Sequence, residues 1–252
     1  MKINRLAARL CMCALVLFRA LSLYADGKDS LSRKMIHIAG IDVKPAYVFP
    51  THEFFAGNNA AFSPIRKNLS VHLKYGFKFA PDTYFGRMYP HAVQGIGVGY
   101  NTFFHSSELG NPWSVYAFQT SRIASLTPRL SLDYEWNFGA SFGWKKYDAE
   151  SNPYNRVVGS KINAYIHLGF LLNWQLDTQT NLRAGIGVTH FSNGNTAYPN
   201  AGVNTLGASI GLTHYFGGTS RAALADGSSG LVRRPPFKPY VSYDLIVYGA
   251  CL

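Results

Sequence analysis

From Leu130 to Trp144 the chain alternates without a break. Leu130, Leu132, Tyr134, Trp136, Phe138, Ala140, Phe142 and Trp144 share one parity. Ser131, Asp133, Glu135, Asn137, Gly139, Ser141 and Gly143 share the other. Successive side chains of a strand point to opposite faces, so this run predicts a strand with one apolar and one polar face. Ile162 to Leu176 does the same. Ile162, Ala164, Ile166, Leu168, Phe170, Leu172, Trp174 and Leu176 lie opposite Asn163, Tyr165, His167, Gly169, Leu171, Asn173 and Gln175. Runs of about 15 residues are too long for a soluble sandwich, whose strands are mostly about five or six. A strand crossing a bilayer needs about 9–11 tilted residues and can extend past it. The polar face, with Asp133 and Glu135 on it, is equally wrong for a sandwich core. In a transmembrane barrel the apolar face meets lipid and the polar face the lumen, and the sheet must close because an open edge finds no water in hydrocarbon.

Composition agrees. Charged residues are 15% and aromatics 15% of the chain. That aromatic content argues against disorder, and the low charge against a coiled coil. After residue 25 no apolar run approaches the roughly 18 residues of a transmembrane helix. The start of the chain reads as a secretory signal over residues 1–25: Lys2, Arg5 and Arg9, then the short apolar stretch Leu10–Phe18, then Ala25 as cleavage point. Cys11 and Cys13 leave with it, and Cys251 remains, so the mature chain has no disulfide framework and no cysteine metal site. Four basic residues leave too; twenty basic against 13 acidic residues reduce the net charge from +11 to +7. A basic exported protein suits an anionic membrane surface such as lipopolysaccharide phosphates.

Strands are predicted near 36–49, 69–79, 92–104, 113–123, 130–146, 161–177, 181–192 and 203–216. The fold expected is therefore all-β: an antiparallel eight-stranded transmembrane barrel over 26–216, its narrow bore filled by side chains. Trp113, Trp136, Trp144 and Trp174 are candidates for interfacial girdles. The turns near Leu126–Pro128 and Asp177–Thr180 are short and read as periplasmic. The loops His105–Asn111, Tyr147–Gly159 and Asn193–Gly202 are longer and read as extracellular. Residues 217–236, with Gly217-Gly218 and Arg233-Arg-Pro-Pro236, read as a linker. Residues 237–252 contain an extra strand-like run, Pro239–Ala250.

The seventh strand carries an anomaly. Leu182, Ala184, Ile186 and Val188 form its apolar face, and His190 and Ser192 continue that face. The eighth places Asn204 ahead of Leu206, Ala208, Ile210 and Leu212. A hairpin brings Ser192 and Asn204 near each other. Polar groups on a membrane face are expensive and usually functional. A serine becomes a nucleophile when a histidine takes its proton and a third group orients the imidazole.

His190-Phe-Ser-Asn193 followed by Pro199-Asn-Ala-Gly-Val-Asn204 resembles the signature of the lipid A 3-O-deacylase (PagL-type) family, and the loop Asn152–Ser160 is similar to that family's as well. The resemblance implies an eight-stranded outer-membrane esterase acting on lipid A of lipopolysaccharide, with its site toward the outer leaflet. It implies His190 as base, Ser192 as nucleophile, and Asn193 and Asn200 as asparagines that bind substrate at the site. The family's triad glutamate falls on Asn204. Exchanging the acid of a serine protease triad for its amide costs about 10⁴ in kcat. Three outcomes stay open: a slow enzyme, one that recruits another acid, or an impaired barrel of the same fold that binds lipopolysaccharide or is structural. A small-solute channel is disfavoured by the narrow bore. Asp133 and Glu135 are on the lumen parity, as are His72 and His167. His105, Ser107 and a solvated Glu108 sit in a loop, and His214 lies at the far end of the eighth strand. Gly95, Gly97 and Gly99 lie inside a strand rather than in a phosphate loop. No spacing suggests zinc, a cofactor or nucleic-acid binding.

Overall fold

A computed structural model describes residues 35–216. The signal segment, the linker, the run Pro239–Ala250 and Cys251 lie outside the described residues. Eight strands alternate along the chain: β1 Met35–Val48, β2 Lys67–Phe79, β3 Val93–Thr102, β4 Gly110–Thr127, β5 Leu130–Trp144, β6 Ile162–Gln175, β7 Thr180–Ser192 and β8 Val203–Phe216. Each pairs antiparallel with its neighbours, and β8 pairs with β1 to close the barrel. Closure gives every strand two partners, which is what a backbone in hydrocarbon requires.

The two parities separate as expected. Leu73, Ile96, Phe138, Ile186 and Ile210 point out and are exposed, while Asp42, Lys74, Glu135, His167 and Arg183 point in and are buried. Glu135 lies at the centre of the lumen, 2.5 Å from both Lys74 Nζ and Arg183 Nη2. Lys74 also meets Asp42 at 2.6 Å. His72 hydrogen-bonds Tyr116 and Ser70, and His167 hydrogen-bonds Thr189. Gly97 and Gly99 are glycines for a packing reason: a Cβ at either would run into the Tyr116 or the His72 ring. The bore thus carries an apolar plug at one end and charge at the middle.

The plug lies under the longer loops. Helix α1, Glu53–Ala56, starts where His52 Nδ1 accepts from Phe54 N at 3.1 Å and stops at Gly57, whose φ is 124°. It delivers Phe54 and Phe55 into a cluster with Phe103, Leu109, Trp144, Val157 and Phe191. Trp144 corrects the parity reading. Gly143 takes φ 89°, and the β4–β5 register shifts between Gly110 and Trp113, so the last residue of β5 turns inward. Its indole donates to Ser141 Oγ at 2.8 Å, whereas Trp113, Trp136 and Trp174 remain on the outer face.

Glu108 is a second correction. It is buried, not solvated, and its Oε1 accepts from Ala60 N at 2.9 Å. The turns after β4 and β6 are short, but the connection 80–92 at the same end is long and holds helix α2, Tyr84–Met88.

Candidate active site

His190 and Ser192 stand at the loop end of β7 on the face that carries Ile186 and Val188. The register pairs His190 directly with Asn204 of β8. His190 Nδ1 and Asn204 Oδ1 are 2.7 Å apart. An amide oxygen can only accept, so this contact needs the proton on Nδ1 and leaves the Nε2 lone pair free. Asn204 is held from its other side, where its backbone oxygen accepts from Phe49 N at 2.9 Å. Gly202, at φ 71°, lets the loop pass close to the imidazole; a Cβ there would stand 3.2 Å from His190 Cε1.

Ser192 has different partners from those expected. Phe191 and Val203 form the last β7–β8 pair, so Asn204 falls opposite His190 rather than opposite Ser192. Ser192 Oγ instead receives Asn200 Nδ2 at 3.0 Å and Gly194 N at 3.1 Å. Among the described residues no hydrogen bond joins Ser192 to His190. They are neighbours on one strand face, about 7 Å apart along the backbone. Asn193 N donates to Asn200 Oδ1 at 3.2 Å, and Asn193 Nδ2 to Ala197 O at 2.8 Å. All five residues singled out in the sequence therefore gather at one end of one hairpin.

The loop 145–161 supports that hairpin. Asn155 is fully buried; its Nδ2 donates to Glu108 O and Lys145 O, each at 2.8 Å, and its Oδ1 accepts from Val157 N and Val158 N. The segment held this way pairs Val158 with Asn200 and accepts Ala201 N on Val157 O at 3.2 Å. Asn155 thus acts on the site at one remove. Its only sequence signal was the resemblance of its loop.

Beside His190 and Asn204 the outer surface is hollowed into an apolar groove of about 250 Å³. Phe49, Ile166, Leu168 and Val188 line it. Phe49 comes from beyond β1 and Ile166 from β6, so barrel closure assembles the groove and no local motif announces it. His72 and His167 are in the lumen, and His105 lies 3.4 Å from Ser63 Oγ within the loops; none faces the groove. Among the described residues no three His, Cys, Asp or Glu side chains gather as metal ligands.

The model of the lipid A 3-O-deacylase (PagL) family matches residues 58–213, from before β2 to near the end of β8, with the whole hairpin inside. The chain belongs to that family. That family is one of lipid A deacylases, which are ester hydrolases. Among solved structures it is similar to Neisserial surface protein A, with 10% identity and a TM-score of 0.47 over 71% of this chain and 97% of that one. It is similar to the outer membrane enzyme PagL, with 12% identity and a TM-score of 0.45 over 68% and 97%. The N-terminal barrel domain of Pseudomonas aeruginosa OprF gives 7% identity and a TM-score of 0.38 over 70% and 96%. No curated protein sequence matches the chain.

Proposed function

We propose that the chain removes an ester-linked acyl chain from lipid A, with Ser192 as nucleophile, His190 as base and Asn204 as orienter, on the outer barrel face at the level of the outer leaflet. The observation that carries this reading is the 2.7 Å contact between His190 Nδ1 and Asn204 Oδ1 at the head of an apolar groove. It holds the imidazole in the tautomer a base needs, next to a surface suited to a fatty-acyl chain. The reaction requires Ser192 Oγ to turn from Asn200 toward Nε2 of His190. The serine proton passes to Nε2 as Oγ attacks the ester carbonyl. The tetrahedral intermediate expels the sugar oxygen, which takes the proton from His190. Water, activated by the same imidazole, then releases the fatty acid and restores Ser192. Asn200 Nδ2 and Gly194 N donate to Ser192 Oγ here; once the serine turns to His190 they are released beside the nucleophile, as donors for the carbonyl oxygen that becomes the oxyanion. Asn193 supports the substrate side of the site by fixing the loop through Ala197.

A second reading is a barrel of impaired activity that still binds lipopolysaccharide. Two features favour it: Asn204 carries no charge, and Ser192 is turned toward Asn200. Mass spectrometry of lipid A from cells with and without the protein separates the two. Loss of one acyl chain, abolished by Ser192→Ala and by His190→Ala while the folded barrel persists, is the expected result. Unchanged deacylation by Ser192→Ala sinks the nucleophile assignment. Lipid A left intact by the wild type favours the second reading.

A further inference from the structure

At the end of the barrel opposite the candidate active site, the lumen contains a cavity whose wall includes Lys78, Asp133, Asn173, Asn181, Arg183 and Thr213 beside apolar residues such as Ile38 and Phe118. Five of these residues present buried polar atoms with no hydrogen-bond partner among the described residues: Lys78 Nζ, Asn173 Oδ1, Asn181 Oδ1, Arg183 Nε and Thr213 Oγ1. Native interiors leave few such atoms, so five around one space mark it as built to hold something polar.

The charge that suits this cavity follows from the ionised side chains around it. Glu135 faces Lys74 and Arg183, and Asp42 faces Lys74. Asp133 accepts from Ser131 Oγ at 2.7 Å and Asn173 Nδ2 at 2.8 Å and keeps its charge, but the cavity wall also carries the cations Lys78, Arg122, Arg129 and Arg183. Lys78 is 2% exposed and, among the described residues, has no carboxylate partner. An ammonium taken from water without a counter-charge costs several kcal/mol. Three of the five orphaned atoms are donors, namely Lys78 Nζ, Arg183 Nε and Thr213 Oγ1. The Asn181 amide adds a fourth on rotation about its last side-chain bond.

We propose that this cavity binds a small tetrahedral oxyanion of the phosphate class, with Lys78 as its charged anchor and Arg183 Nε and Thr213 Oγ1 as further donors. Such an anion has four acceptor oxygens for these groups, which a spherical halide lacks. The size fits: the cavity is about 40 Å³, room for about three waters or one such anion. The site is separate from the lipid-A chemistry and does not depend on it. It would fix the charge balance of the lumen and link barrel stability to the anion.

The test is titration of the folded mature chain in neutral detergent with inorganic phosphate, against chloride at matched ionic strength, by calorimetry and thermal unfolding. Saturable binding of one phosphate per barrel is expected, with a thermal midpoint that rises with phosphate and not with chloride. Lys78→Met weakens binding at least tenfold, and Lys146→Met, in an exposed loop at the other end, leaves it unchanged. Should Lys78→Met not fold, Thr213→Val serves, with a loss of several-fold. Glycerol 3-phosphate identifies the source: competition with phosphate indicates a headgroup-like phosphate ester, and its failure to compete indicates a free oxyanion. Absence of saturable phosphate binding, an equal response to chloride, or affinity unchanged in the cavity variants overturns the proposal.

Discussion

Asn204 lies 2.7 Å from His190 Nδ1 through its amide oxygen, so it can orient the imidazole but cannot neutralise it. When Ser192 gives up its proton the ring becomes cationic. A carboxylate in that position would both fix the tautomer and stabilise the cation. Beside an apolar groove the missing charge is weakly screened, so it should matter by about a few kcal/mol in the transition state. Asn204→Glu is therefore expected to raise the deacylation rate. Hydrocarbon on one side disfavours the ionised form of the new carboxyl, so the gain should grow as pH rises and the group ionises. A pH series of lipid A deacylation for wild type and variant in one detergent measures this. Lower activity in the variant at every pH, with the fold unchanged, would show that the amide itself is the competent orienter.

The element that matters most is the β7–β8 hairpin together with the loop that braces it. The loop 145–161 buries Val157 and Val158 in the apolar plug, and hydrogen bonds set the rest of its shape. Asn155 supplies four of them from one fully buried side chain. Removing the amide leaves the Lys145 carbonyl and two backbone N–H groups short of a partner, while Glu108 O keeps Asn152 Nδ2, at a local cost of about 2–4 kcal/mol. The barrel ladder does not depend on those bonds. Asn155→Ala should accordingly expose 145–161 to protease and lower activity, while the barrel's own unfolding midpoint stays put. A variant with wild-type activity and an uncut loop would mean that Asn155 does not position the hairpin.

For the whole molecule, stability divides between a membrane-facing apolar band and a charged lumen. The band, with exposed Leu73, Ile96, Phe138, Ile186 and Ile210, has no solvent but lipid to suit it. Residues 26–252 should need detergent or lipid to fold and should migrate differently on gels before and after heating. A monodisperse preparation in plain buffer would contradict the membrane reading. In the lumen, Glu135 balances Lys74 and Arg183 at once, and neither cation can leave for water. Breaking a buried pair from one side costs about 3–5 kcal/mol. Glu135→Gln should lower the urea midpoint of the folded barrel accordingly, and an unchanged midpoint would show the network to be dispensable.

Alternation alone determined the strands, which face of each points outward, and the placing of His190, Ser192 and Asn204 on the outside, because side-chain direction in a strand depends only on parity. Parity fails where the backbone leaves the regular pleat. At Gly143 a φ of 89° turned Trp144 into the plug, a change that depends on the β4–β5 register shift and not on the identity of Trp144. Burial failed for Glu108 because the loop carrying it is covered by Ala60 and Asn152, far away in the chain. Register decided the site's contacts: Asn204 meets His190, and Ser192 meets Asn200, because Phe191 and Val203 form the last β7–β8 pair. The groove and the orphaned polar atoms of the lumen cavity belong to closure itself. They draw on several strands at once, and only the tertiary structure brings those strands to one place.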